Sequence, residues 1–335
     1  DQAGVGDPGL GVGSAFFDYD SDGDLDLYAA NYCLMDLEHD KPRLQNNVPR
    51  YQAPESYPAE PDRLFRNEGN GRFTDVSDEA GIHASPAGRG MGVIATDVNG
   101  DGRLDLFVAN DASENHLFIN NGDGTFQENA LMVGVALDVN GDQQGCMGVD
   151  IADCDSDGRP DLMVTNYQKQ ANVLYRMKSA GYFVDEAQTA GVASDSLPWV
   201  GWGTRFFDCD NDGFLDVFIA NGHLEDTIES YDQSSTYKQP NQLLRNTGSG
   251  RFEDISRQAG PGLRVVKSSR GAAFGDLDND GDIDIVVCNS REKPSVLINN
   301  SPRQNHWLGL TLRGKRDRFA LNAQATVYVE GRVLS

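Results

Sequence analysis

One acidic nonapeptide recurs five times in this chain, at Asp18–Asp26, Asp97–Asp105, Asp153–Asp161, Asp208–Asp216 and Asp276–Asp284. Every copy reads D-x-[DN]-x-D-G-x-x-D. Position one (Asp18, Asp97, Asp153, Asp208, Asp276), position three (Asp20, Asn99, Asp155, Asp210, Asp278) and position five (Asp22, Asp101, Asp157, Asp212, Asp280) alternate into one tight loop. Position nine closes the cage with Asp26, Asp105, Asp161, Asp216 and Asp284. Oxygens this crowded repel one another until a hard divalent cation sits among them. Position seven (Asp24, Arg103, Arg159, Phe214, Asp282) is expected to add its backbone carbonyl, and the glycine at position six permits the sharp turn. Calcium accepts many flexible oxygen ligands at longer distance than magnesium does, so the pattern predicts five calcium ions.

An EF-hand begins with the same residues but needs a bidentate Glu at position twelve and flanking helices. Position twelve here is Ala29, Val108, Val164, Ile219 or Val287, inside β-type runs such as Leu106-Phe107-Val108-Ala109. Short apolar runs bounded by Gly, Asn and Asp read as strands. The loop therefore joins two strands.

The repeat is longer than the loop. Glycine stands five residues upstream (Gly13, Gly92, Gly148, Gly203, Gly271), and asparagine five residues downstream (Asn31, Asn110, Asn166, Asn221, Asn289). A third run follows, then a glycine turn and a fourth run carrying Phe73, Phe126, Phe183 or Phe252; most units close on Ala-Gly. Four strands per unit, recurring at 79, 56, 55 and 68 residues, predict an all-β chain: a β-propeller of four-stranded blades, five of them recognisable. The upstream glycines fit innermost strands that need close backbone approach, rather than simple bulges.

Strand alternation places the acidic loops and glycine turns on one face. The loops joining strands two and three lie on the other, and two of them are enlarged: Tyr32–Arg63 and Gly222–Gln242. Long structureless loops in a compact domain are usually functional or disordered. These two read either as a surface for a protein partner or as a solvated, locally packed decoration.

The formal charge of −24 is largely this acidic machinery, and five divalent ions would bring it to −14. Such a balance excludes nucleic-acid binding, which needs clustered Lys and Arg. No apolar stretch approaches a membrane span. The chain begins at Asp1 rather than Met, which reads as processed or incomplete. So many calcium sites imply a calcium-rich compartment: the exterior, cell surface or periplasm. The five cysteines (Cys33, Cys146, Cys154, Cys209, Cys288) lack C-x-x-C spacing and read as buried free thiols; the alternative is one disulfide, with Cys33 its candidate partner. His39, His83, His116, His223 and His306 show no ligand or nucleophile spacing, so no catalytic residue is assigned. Asp7, Glu225, Asp226 and His223, near the channel, keep an enzyme using the propeller channel as the alternative from another class.

The units resemble FG-GAP/VCBS-type repeats, the blades of integrin-α-like propellers. More narrowly, Gly201-Trp202-Gly203-Thr204, Asp216–His223, Asn241–Asn246 and Ser269–Asp276 resemble the ASPIC/UnbV (cartilage acidic protein) family, and Asn305-His306-Trp307-Leu308 resembles the entry to that family's C-terminal module. The resemblance implies residues 1–302 as propeller repeats, 303–335 as the start of that module, and a parent of seven blades. The family's R-D-A-I-G-A-R-V run is represented here by Arg318–Ala325, in which Asn322 and Gln324 replace its Gly and Arg. The implied role is a secreted or surface-exposed binding, adhesion or scaffolding module, with a structural subunit of a larger homo- or hetero-assembly as the runner-up.

Overall fold

The computed structural model describes residues 2–36, 38, 40–179, 181–301, 305–314, 323, 325–329 and 332–334. Asp1, His39 and, apart from Ala323 and Ala325, the Arg318–Ala325 run lie outside them. The protein is all-β, with five consecutive antiparallel sheets forming the blades of a β-propeller. The first blade consists of Gly11–Phe17, Asp26–Asn31, Arg63–Asn67 and Phe73–Asp75. The second is Gly90–Thr96, Asp105–Asn110, His116–Asn120 and Phe126–Glu128. The third is Cys146–Ala152, Asp161–Asn166, Val173–Ser179 and Tyr182–Asp185. The fourth is Gly201–Phe207, Asp216–Asn221, Gln242–Asn246 and Phe252–Asp254. The fifth has three strands among the described residues: Ser269–Gly275, Asp284–Asn289 and Glu292–Leu297. Within each blade, strands pair in chain order. No helix among the described residues is long and apolar enough to cross a membrane.

Second strands such as Asp105–Asn110 are buried along their whole length, because each blade packs a face against each neighbour. The core accordingly lies between blades; one cluster joins Phe17, Tyr28 and Leu64 of the first to Leu106, Phe118 and Phe126 of the second. First strands run side by side at the inner edge. A Cβ on Gly13, Gly92, Gly148 or Gly203 would collide with the next blade's backbone at Met91, Met147, Trp202 or Ala272. Gly271 has nothing within 4 Å. Every first strand is also bulged near this glycine, so the bulge and the close approach occur together rather than as alternatives.

Both insertions are structured, contrary to the expectation of structureless loops. The first holds a hairpin, Arg43–Gln45 with Val48–Arg50; the second holds a 3₁₀ turn at Ile228–Ser230 and a short strand, Gln239–Pro240, paired to Val266–Lys267. Their bases are pinned the same way as the short loops. The amides of Asn31, Asn110, Asn166 and Asn221 donate to Asp62, Asn115, Asn172 and Asn241 side chains. Their side-chain amides donate to the carbonyls of Pro61, Glu114, Ala171 and Pro240, one residue earlier. Loop length can therefore vary without disturbing the blade.

Candidate metal centres and the opposite face

All five acidic loops share one hydrogen-bond plan. The position-one carboxylate accepts from the amides of positions five and six, as Asp18 does from Asp22 and Gly23, and Asp276 from Asp280 and Gly281. Position five accepts from the amide of position seven. The position-six glycines have φ between 83° and 93°, which favours glycine. Position four is left-handed as well, at Ser21, Gly100, Ser156, Asn211 and Asn279. That requirement was missed from sequence; its only trace is the small or polar residue at each copy.

Position nine does more than close a cage. Asp26 accepts from the amide of Tyr19 through one oxygen and from Asn67 through the other. Asp105, Asp161, Asp216 and Asp284 repeat this between their own loop and third strand. In the third loop the Cys154 thiol also donates to Asp161, 3.0 Å away. Burial pushes Asp26, Asp105, Asp161 and Asp216 up to about 6, against the pull of these bonds. Asp18, Asp153 and Asp208 are raised too, by burial first and then by neighbouring carboxylates.

Ligand atoms lie within 4.8 Å of one another for Asp18, Asp20 and Asp22; for Asp153, Asp155 and Asp161; for Asp208, Asp210 and Asp212; and for Asp276, Asp278 and Asp284. Two buried oxygens at position three, Asp155 Oδ1 and Asp210 Oδ1, have no hydrogen-bond partner. A hard cation fits such atoms, since a buried carboxylate oxygen left unpaired is costly. The residue at position seven differs among the loops. In the second and third loops it is Arg103 or Arg159, whose guanidinium pairs with Asp101 or Asp157 and reaches the third-strand carbonyl of Asn120 or Met177. Asp157 is absent from the third cluster, as Asp280 is from the fifth, and no all-carboxylate cluster forms in the second loop, where Asn99 holds position three. Asp24, Phe214 and Asp282 take position seven in the other loops.

On the opposite face the two insertions meet. Arg50 Nε lies 3.1 and 3.0 Å from Glu225 Oε1 and Oε2, and its guanidinium stacks 4.5 Å from the Tyr231 ring centre. His223 is fully buried; its Nδ1 accepts from the Glu225 amide, and its Nε2 lies 3.1 Å from Tyr167 Oη. Burial pulls His223 down to about 4, so the ring is neutral and serves as a cap. Beside it Arg270 stacks on Trp202 at 4.3 Å and donates to the carbonyls of Gly222 and His223. Asp7 is taken up by Arg63, Gly9 and Asn31, and Asp226 by Arg291. His116 packs edge-on against Phe118, and His83 bridges Asp78 and the Asp62 carbonyl. Cys33, Cys146, Cys154 and Cys209 are buried free thiols; Cys288 is free but exposed, unlike the expected buried set.

The family model described as "FG-GAP-like repeat" matches residues 56–108, 97–164, 153–219 and 229–287. Cartilage acidic protein 1 of Mus musculus is 26% identical over 321 residues, covering 94% of this chain and 45% of the relative. Its Homo sapiens counterpart is 28% identical over 261 residues, covering 76% of this chain and 37% of the relative. These matches bear out the resemblance drawn from the repeats, and the chain spans less than half the length of these relatives. Among solved structures, an Agrocybe aegerita lectin that recognises non-reducing terminal N-acetylglucosamine aligns with a TM-score of 0.43 and 18% identity, over 86% of this chain and 66% of its own.

Proposed function

This chain belongs to the FG-GAP-like repeat family, and from that premise we propose that it is a calcium-stabilised propeller working outside the cell as a protein-interaction or scaffolding module. The observation that carries the calcium reading is the pair of buried, unpartnered oxygens at position three, Asp155 Oδ1 and Asp210 Oδ1, inside two carboxylate clusters. The residues that would hold the five ions are positions one, three, five and nine of each loop, with the carbonyl of position seven. When bound, each ion supplies the positive charge that offsets the mutual repulsion of its loop. The remaining residues do structural work: position nine ties loop to third strand, and Arg103 and Arg159 hold Asp101 and Asp157.

The exterior location is supported by the acidic balance and by the cartilage protein relatives. The interaction role falls to the face carrying Tyr32–Arg63 and Gly222–Gln242. We assign residues 1–302 to the propeller and 303–335 to an ASPIC/UnbV-type module. Calcium titration by calorimetry, with ions counted by native mass spectrometry, tests the metal reading; five ions are expected, and none bound at millimolar calcium would end it. A pull-down from extracellular extract with and without residues 43–50 tests the face.

A further inference from the structure

Three blades carry an arginine one place before the last residue of the third strand: Arg66, Arg176 and Arg245. Two of them point outward. Arg66 pairs with Glu68 two places on, and Arg245 with Glu253 across the strand, their side chains 39% and 44% exposed. Arg176 is turned inward, its side chain only 10% exposed. The outer anchors are missing in its blade, where Lys178 stands two places on and Val184 stands across the strand.

Inside, Arg176 Nη1 lies 3.2 Å from Asp155 Oδ2 and 3.6 Å from Glu186 Oε2. Nη2 donates to the carbonyl of Gly250 in the next blade and lies 3.9 Å from Cys154 Sγ. Two small residues make the room: Cys154, where the first loop has Tyr19, and Gly250, whose Cβ would collide with Nη2. Arg176 Nε is buried without a partner, so charge holds the guanidinium more than a full set of hydrogen bonds does.

Asp155 is position three of the third acidic loop, and its two oxygens are differently placed. Oδ2 faces the guanidinium, whereas Oδ1 is buried and unpartnered, and the residue clusters with Asp153 and Asp161. Asp157 is paired with Arg159, so two of the four side-chain carboxylates in this loop carry a guanidinium. The two pairs are unequal. Arg159 and Asp157 are 40% and 28% exposed, where an ion pair contributes little; the Arg176 pair is more buried and less screened.

We infer that Arg176 is a stand-in cation for the third acidic loop and sets how tightly that loop holds calcium, an inference that rests on the calcium reading above. With the loop empty, the guanidinium offsets part of the carboxylate repulsion and keeps the turn in shape. With an ion among Asp153, Asp155, Asp157 and Asp161, the same guanidinium opposes it, and Glu186 is the carboxylate on which Arg176 falls back. Ligand charge tunes calcium affinity in oxygen cages, so Arg176 weakens this site. Because Gly250 belongs to the fourth blade, Arg176 also ties that blade to the third loop when calcium is scarce.

The test uses the whole chain, calcium titration read by calorimetry and native mass spectrometry, and melting with and without chelator. Arg176→Met should tighten one ion by about tenfold, the effect of removing a unit charge beside a divalent ion, and leave the others unchanged. In chelator this variant should melt below the parent, and calcium should raise its melting temperature by more than it raises the parent's. A packing role alone would lower both melting temperatures equally and tighten no ion. Arg176→Lys, which keeps the charge, should bind calcium as the parent does. Glu186→Gln, at a partly exposed site, should loosen the same ion several-fold. Adding Arg176→Met to Asp153→Ala with Asp155→Ala should bring no gain, which assigns the ion to the third loop. The inference is overturned by unchanged or weaker binding in folded Arg176→Met, by a gain that persists in the triple variant, or by equal melting losses with and without calcium. Should Arg176→Met not fold, an unaltered ion profile in Glu186→Gln overturns it. A parent protein that binds no calcium ends the calcium reading itself, whereas the other outcomes leave that reading standing.

Discussion

Arg50 and Glu225 lie 175 residues apart in sequence, yet Arg50 Nε bonds both oxygens of the Glu225 carboxylate. Glu225 is the more buried partner, its side chain 5% exposed against 24% for Arg50. Thr227 Oγ1 also donates to Pro49 O, so the first insertion's hairpin rests on the second insertion. The surface expected to serve partners is thus partly spent on an internal clasp. Removing Arg50 strands a buried charge; Arg50→Met should cost about 2 kcal/mol, and Arg50→Met with Glu225→Gln less than the two single changes summed. Urea midpoints measure the cycle, and proteolysis within residues 43–50 should accelerate in each variant.

The loops are predicted to bind independently. Asp153→Ala with Asp155→Ala should remove one calcium and leave the other four, read by native mass spectrometry. Excess chelator should lower the melting temperature of the parent protein, because an ion bound only by the native state stabilises it by mass action. An unchanged melting temperature, or loss of all ions together in the double variant, would contradict this.

Asp62 supplies a pH prediction. Burial pushes it up to about 6, despite lowering bonds from Tyr28 Oη and the Asn31 amide and the nearby His83. The unfolded chain titrates near 4, so the native state holds an extra proton between about pH 4 and 6 and loses stability as pH rises through that window. The second, third and fourth blades use Asn115, Asn172 and Asn241 in the same place. Asp62→Asn should therefore raise stability at pH 7 by about 1–2 kcal/mol and flatten that decline by one proton. Denaturation at about pH 4 and at pH 7 compares the two proteins.

The inner glycines provide a matched pair. Gly148→Ala drives a methyl into Trp202 O and should cost about 3 kcal/mol or more, whereas Gly271→Ala meets open space and should stay within about 1 kcal/mol. Melting temperatures of the two variants decide it; equal losses would mean that the glycines serve their bulges and not the approach of the next blade.

The local parts of this molecule were legible in sequence because each is set by a residue's own conformational or charge demand. The acidic loops, the crowded glycines and the strand order are of that kind. Position nine was only half legible: a cage-closing carboxylate was evident, but its grip on Asn67 or Asn246 depends on where a strand 30 to 41 residues later is placed. The downstream asparagines were visible as a pattern without a role, because their partners sit beyond loops of any length. The Arg50–Glu225 clasp left no trace at all, since two single charges among 80 have no spacing to betray them.

Asparagines at the third-strand ends also grip the preceding blade. Asn120 donates to Tyr19 O, Asn246 to Cys154 O and Asn299 to Cys209 O, each at 2.8 Å. The first, third and fourth acidic loops are therefore rivets for the blades that follow them. At the third blade the residue in that place is Met177, which has no amide to offer. The seam between Val98 and Met177 is held at that point by apolar packing, a short-range and non-directional grip. Of the four seams among the described blades this one alone lacks that directional tie, with two blades on one side and three on the other.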